Sequence, residues 1–176
     1  MPTVVDAVIA SDNGLFLVRD ANAESFEARL AVFQASRIPG TRRGRLCAVA
    51  GGILLVRGAH QMSRPRVRIE VLETIPAEEP PWHWEARVTM EITTTRLIVE
   101  ADPSFPLDVP PVDLPGGPGR YGVLLGHTGR SEVQREAAKV SAANRSVSSD
   151  EALANWRSLD GIEQYLIRLW PDHRDE

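Results

Sequence analysis

Hydrophobic and polar positions alternate along most of this chain, and the alternation has a period of two. Residues 66–71 are the cleanest case: Val67, Ile69 and Val71 alternate with Arg66, Arg68 and Glu70, the pattern of a half-buried strand. Ala86, Val88, Met90 and Ile92 alternate in the same way with Glu85, Arg87, Thr89, Glu91 and Thr93. Residues 4–10 and 15–19 are rich in β-branched and apolar side chains and flank Asp12-Asn13-Gly14. Asn and Gly tolerate positive φ, so residues 3–20 are predicted to form a hairpin. Phe26, Ala28, Leu30 and Val32 share one parity, with Glu27 and Arg29 on the other, and residues 26–34 are read as a further strand. Two apolar runs, 46–49 and 53–57, surround Gly51-Gly52 and are apolar on both faces, as central strands are. Residues 96–100, 121–125 and 162–170 complete the strand pattern, the last ended by Pro171.

Proline and glycine mark the connections. Residues 75–81 carry Pro76, Pro80 and Pro81, which cannot donate to a ladder. Residues 102–119 hold six prolines and three glycines and are read as a long loop with at most a short edge strand at 107–109. The helical signal lies between residues 131 and 157. Ser131 with Gln134, and Ser148 with Glu151, have the capping-box spacing. Val133, Ala137 and Val140 follow the first, Leu153 and Trp156 the second. The expected fold is all-β: an antiparallel β-sandwich of about 8–10 strands, with one or two short helices inserted near residues 131–157. A parallel α/β sheet is disfavoured, because no helix of crossover length falls between strands before residue 130. The 176 residues fit a single domain spanning 1–176, with the helical insertion at 130–160, mobile residues at 141–149 and a flexible acidic tail at 172–176.

Composition narrows the chemistry. The chain has one cysteine, Cys47, which excludes an internal disulfide framework and any four-cysteine zinc site. It has no 18-residue apolar run and no basic N-terminal leader pattern, so no membrane span or secretory signal is expected and the cytoplasm is the expected location. The formal charge is −4, unevenly spread. Residues 28–69 contain nine Arg and no acid, whereas residues 70–113 contain ten acids against Arg87 and Arg96. Such a split makes either two opposed surfaces or strands whose Arg and Glu pair across a sheet; the cross-strand arrangement is favoured because the net charge is negative.

No motif assembles a reactive centre. Gly117-Pro118-Gly119-Arg120-Tyr121-Gly122 matches G-x-G-x-x-G, but it follows a proline loop and opens a strand, so it lacks the helix N-terminus that would face a pyrophosphate. His60, His83, His127 and His173 show no metal-ligand spacing, and no cofactor or metal is expected. Cys47 sits inside an apolar strand and is expected to be buried and inert. Glu70, Glu73, Glu85 and Glu91 fall on solvated strand faces. Trp82-His83-Trp84 beside Glu78, Glu79 and the Pro80-Pro81 loop suits an interface, because Trp supplies large contact area at low entropy cost. Arg64, Arg66 and Arg68 are assigned to one strand face and, with Arg42, Arg43 and Arg45, could track phosphates. The aromatics that single-strand binders stack on are absent from 34–81.

The second half has a distinctive order of elements. The strand Val67-Arg68-Ile69-Glu70-Val71 is followed by strands at 88–92 and 96–99. Then come Phe105-Pro106-Leu107-Asp108-Val109-Pro110, the glycine turn before Tyr121, and the closing Glu163-Gln164-Tyr165-Leu166-Ile167-Arg168-Leu169-Trp170-Pro171. This order resembles a group of uncharacterised actinobacterial proteins that close on a similar Tyr-Leu-(x)2-Leu-Trp-Pro strand. It is more distantly similar to competence protein J, a small intracellular inhibitor of a nuclease. The resemblance implies no catalytic residues. It favours a non-enzymatic binding protein, immunity- or inhibitor-like, whose acidic surface covers a partner protein's basic cleft. Two alternatives stay open: a small-ligand binder or enzyme with His83 or His127 in a pocket at one end of the sandwich, and an Arg-face nucleic-acid binder. A homodimer also stays open.

Overall fold

The computed structural model describes residues 3–11, 13–39, 44–101 and 109–172. Its elements are strands β1 (Thr3–Val8) and β2 (Leu15–Asp20), helix α1 (Phe26–Ala35), and strands β3 (Cys47–Ala50), β4 (Ile53–Arg57), β5 (Arg66–Val71), β6 (His83–Ile92), β7 (Arg96–Glu100), β8 (Val112–Asp113) and β9 (Gly119–Thr128). Helices α2 (Arg130–Ala143) and α3 (Ser149–Arg157) follow, and strand β10 (Gln164–Pro171) closes the chain. Two five-stranded sheets result. The front sheet has the order β1-β5-β10-β9-β6 and the back sheet β3-β4-β2-β7-β8. Their inner faces meet in one core that includes Phe16, Leu54, Ile69, Leu97, Val123 and Ile167. The alternating residues of β5 behave as the period-two pattern requires: Val67, Ile69 and Val71 are buried, and Arg66, Arg68 and Glu70 turn outward.

The all-β sandwich with inserted helices therefore stands, with four corrections of detail. Residues 26–34 are helix rather than strand. Ser25 caps α1, its Oγ accepting from the Ala28 N–H at 3.1 Å. The segment has apolar side chains on both sides of the helix, so a parity of two imitates a strand face. Residues 3–20 are not a hairpin. Asn13 and Gly14 do adopt positive φ, but the turn carries the chain from one sheet to the other. β1 pairs with β5 and β2 with β4 and β7. β2 is buried along nearly its whole length and needs neighbours on both sides, which the half-exposed β1 cannot provide alone. β3 is an edge strand rather than a central one. Its two apolar faces arise because α1 covers the back sheet's outer side. Finally, β5 and β10 run parallel, the single parallel pairing among the described strands.

The insertion between β9 and β10 forms both helices. Ser148 caps α3 by accepting from the Glu151 N–H, as its spacing predicts. Ser131 does not cap α2. The helix starts at Gly129, which has φ 75°. A Cβ there would lie 2.0 Å from the Ile162 carbonyl oxygen, so only glycine fits. Residues 141–149 form the end of α2, a 3-10 turn at Asn144–Ser146 and the α3 cap, held by Asn155 Nδ2 donating to Asn144 Oδ1 at 2.7 Å. The short edge strand expected at 107–109 falls mostly on residues outside those described, and the described chain forms the two-residue edge strand β8 just after it. Leu107, with Asp12, Arg42, Arg43, Phe105, Pro106, Asp108, His173 and the tail residues 173–176, lies outside the described residues.

Candidate functional site: the open face of the front sheet

The outer faces of the two sheets differ in what covers them. α1 packs on the back sheet through Val32 and Ala28. Among the described residues no helix lies on the outer face of the front sheet, and there strand register builds two aromatic stacks. Trp84 on β6 is the partner of Gly126 on β9, and Trp170 on β10 is the partner of Gly122 on β9. Each indole occupies the room that the glycine's missing side chain leaves. A Cβ on Gly122 would lie 2.3 Å from the Trp170 ring, and one on Gly126 2.9 Å from the Trp84 ring. A guanidinium closes each stack. Arg168 lies 5.5 Å from the Trp84 ring centre and Arg87 5.7 Å from that of Trp170. Both are within cation–π range, so the indoles are held flat.

The proline loop at 73–82 fixes the margins of this face. Arg168 Nη1 donates to the Ala77 carbonyl at 2.9 Å, and Glu78 lies 3.7 Å from Arg87. One groove opens at each end of the loop. The larger, of about 670 Å³, is lined by Glu73, Ile75, Arg87, Gly122, Trp170 and Asp172 among others. The smaller, of about 340 Å³, is lined by Asp6, Arg66, Arg68, Trp82, Leu166 and Arg168 among others. Ile75 is 61% exposed, an apolar side chain at the rim.

The arginines of β5 pair here with Asp6 of β1 and with Glu70 of their own strand, not with the acid-rich strands of residues 85–113. Asp6 accepts from Arg66 Nε at 2.7 Å and Nη2 at 3.2 Å. Glu70 accepts from Arg68 Nε at 2.8 Å and Arg168 Nε at 2.9 Å. Burial alone would raise the Glu70 carboxyl, but these guanidinium bonds outweigh it and hold it below the usual carboxylate range. The interleaving disperses the charge. The exposed acids of the loop, Glu73, Glu78 and Glu79, form an acidic rim beside the tryptophans.

Of the residues singled out by sequence, Trp82, Trp84, Arg66 and Arg68 share this face, and Glu78 and Glu79 sit in its loop. Arg64 departs from the expected row: it precedes β5 and pairs with Asp160 at 3.4 Å. Trp170, Arg87, Arg168, Gly122 and Gly126 were not singled out. Trp170-Pro171 reads as a strand end, and its glycine partner is distant in sequence.

A second polar cluster lies at the end of the sandwich. Glu163 is fully buried and accepts from the Ala59 N–H at 2.8 Å, Ser63 Oγ at 3.3 Å and Arg130 Nη1 at 2.9 Å. The Tyr165 hydroxyl donates to Glu163 and accepts from Arg130. Burial and the Glu163 charge push the tyrosine's pKa upward. This network ties the start of α2 to β4 and β10. His83 and His127 are cross-strand partners with ring centres 5.7 Å apart. Burial, then Arg130, lowers the His127 pKa, favouring neutral imidazole. Neither histidine lines the grooves described above. Among the described residues no three His, Cys, Asp or Glu side chains are placed to hold a metal ion. Cys47 is buried, and burial pushes its thiol up to about 11, so it is not a ready nucleophile. Among the described residues no helix is long and apolar enough to cross a membrane.

No protein-family model and no curated protein matches the chain. Two solved structures do. One is described as crocagin biosynthetic gene J, at 16% identity over 98% of this chain and 99% of that one, with a TM-score of 0.54. The other is ComJ, inhibitor of the DNA degrading activity of NucA, from Bacillus subtilis, at 11% identity over 97% and 95% of the two chains, with a TM-score of 0.49. The likeness to the first is one of fold, and it runs through nearly the whole of both chains.

Proposed function

We propose that this chain is a binding protein, not an enzyme, and that it docks an intracellular partner protein on the open face of the front sheet. One observation carries the reading: the half-buried Trp84 indole lies over Gly126 against Arg168, beside a groove floored by the buried Trp170 and rimmed by the exposed Ile75. Trp and Arg dominate interface hot spots, and surfaces already held in shape lose little entropy on binding. Glu73, Glu78 and Glu79 beside the platform favour a partner with a basic contact surface and speed its approach. The element order that resembles competence protein J supplies the class of partner, a nuclease. The acidic rim would then lie against the basic residues with which a nuclease holds DNA.

The test is inhibition of DNA degradation by a nuclease encoded beside this chain's gene. The intact chain is expected to slow it in a one-to-one titration. Ile75→Asp, changed at an exposed position, is expected to lose that inhibition while melting as the parent does. No inhibition by the intact chain overturns the nuclease reading. A bound partner that ignores Ile75→Asp and Trp84→Ala alike overturns the surface.

A further inference from the structure

The outward side of α1 carries an apolar stripe that none of the described residues covers. Phe26, Leu30 and Phe33 recur at i, i+4 and i+7, so they lie along one side of the helix. They are 73%, 42% and 39% exposed. The opposite side is already engaged, with Val32 and Ala28 packed on the back sheet, and Arg29, which flanks the stripe, bonds Glu100 at 2.7 Å. The stripe is thus an addition to the residues that fold α1, and it lies on the opposite sheet from the tryptophan platform.

We infer that this stripe is a homodimer contact, in which α1 packs antiparallel against α1 of a second copy. The helix is self-complementary under a two-fold axis near Leu30. Phe26 of each copy then meets Phe33 of the other, as an isologous interface requires. The first turn carries Glu27 and the segment just past the last turn carries Arg37, both exposed. Antiparallel packing brings each acid toward the other copy's arginine and sets the two helix dipoles in opposition. A lipid surface fits less well, because an interfacial helix carries Lys or Arg along its polar side, whereas Arg29 is spent on Glu100 and Glu27 is acidic. The ten residues span about 15 Å, and the three side chains expose roughly 300 Å² per copy. That contact is below the usual size for a stable complex, so the dimer is expected to be weak, with a dissociation constant of order micromolar or above.

Sedimentation equilibrium from about 1 µM to about 1 mM, the range such a contact implies, tests this. The mass is expected to rise from that of one chain toward two. Leu30→Glu and Phe26→Glu are expected to weaken association about tenfold or more. Glu27→Arg weakens it less, and adding Arg37→Glu restores it. Both glutamate variants change exposed positions, and an unaltered melt shows that the fold is intact. A single-chain mass throughout overturns the inference, as does a dimer indifferent to Leu30→Glu. A single-chain mass together with binding to anionic vesicles assigns the stripe to lipid and overturns it equally.

Discussion

The two sheets have five strands each, yet their outer faces are finished in different ways. The back sheet turns Leu17, Ala48, Ile53 and Leu55 outward, and α1 seals them with Val32 and Ala28. The front sheet turns Asp6, Arg66, Arg68, Glu70 and Arg168 outward beside Trp84 and Trp170, and among the described residues no helix covers them. A face of aliphatic side chains gains by being covered, because each one removed from water contributes roughly 1.5–3 kcal/mol. A face of ion pairs and clamped indoles has little left to gain. The chain therefore provides a lid where apolar area demands one, and leaves open the face on which paired charges keep the sheet solvated. The open face is the one free to meet another molecule.

Substitutions at matched positions should separate the two faces. The largest loss is expected at the sealed face. Leu55 is fully buried, and Leu55→Ala should cost about 2–5 kcal/mol by urea denaturation; a cost below about 1 kcal/mol would mean that α1 is not seated as described.

Glu100 comes next. It is 5% exposed and accepts from Arg19 and from Arg29 of α1, each at 2.7 Å. Glu100→Ala removes the carboxylate that Arg19 and Arg29 share, leaving Arg19 with Glu24 and two backbone carbonyls, and should cost about 3 kcal/mol. The same pair governs acid behaviour. Burial raises the Glu100 carboxyl, but the two guanidinium bonds prevail and hold it below the ordinary 4.5. A lowered folded-state pKa contributes stability that is complete above about pH 4.5 and lost as the pH falls through the folded value. Melting temperature plotted against pH should therefore drop below 4.5 in the parent and drop less in Glu100→Gln. Glu70→Gln on the open face should flatten that limb less, as Glu70 has 12% side-chain exposure against 5% for Glu100. Equal flattening would erase the distinction between the faces.

On the open face the effects should turn from stability to shape. Gly122→Val places carbon where the Trp170 ring lies, and overpacking of this kind costs about 1–3 kcal/mol. Tryptophan emission should shift to the red as the indole is expelled, and an unshifted spectrum would argue against the stack. The smallest effect is expected at Arg68, which is 43% exposed. Arg68→Ala should change stability by no more than about 1 kcal/mol, measured by thermal melting against the parent.

Much of this fold is legible in the residues. The alternation of β5 and β6, the strands around residues 98, 123 and 167, the Ser148 cap and the buried Cys47 all follow from local pattern. The tryptophan segment at 82–84 and the arginines of β5 are likewise visible as candidates. What was not legible has a common cause. α1 is apolar on both sides, so its period is ambiguous, and only the presence of a sheet face to seal makes the helical choice favourable. The first two strands look like a hairpin because the Asn13-Gly14 turn is genuine, but their partners lie in different sheets. Trp170 and Gly122 carry no mark in sequence that they belong together.

The sequence by itself determined the strand-forming segments, which side of most strands faces inward, the absence of a four-cysteine zinc site and the supply of Arg, Glu and Trp. The tertiary structure alone decided which strands became neighbours, and hence which carboxylate met which guanidinium and which indole found a glycine. The reason is physical. A period of two specifies the two faces of a strand but not its neighbour. Neighbours such as β5 and β10, about a hundred residues apart, are selected only when whole strands compete for burial at once.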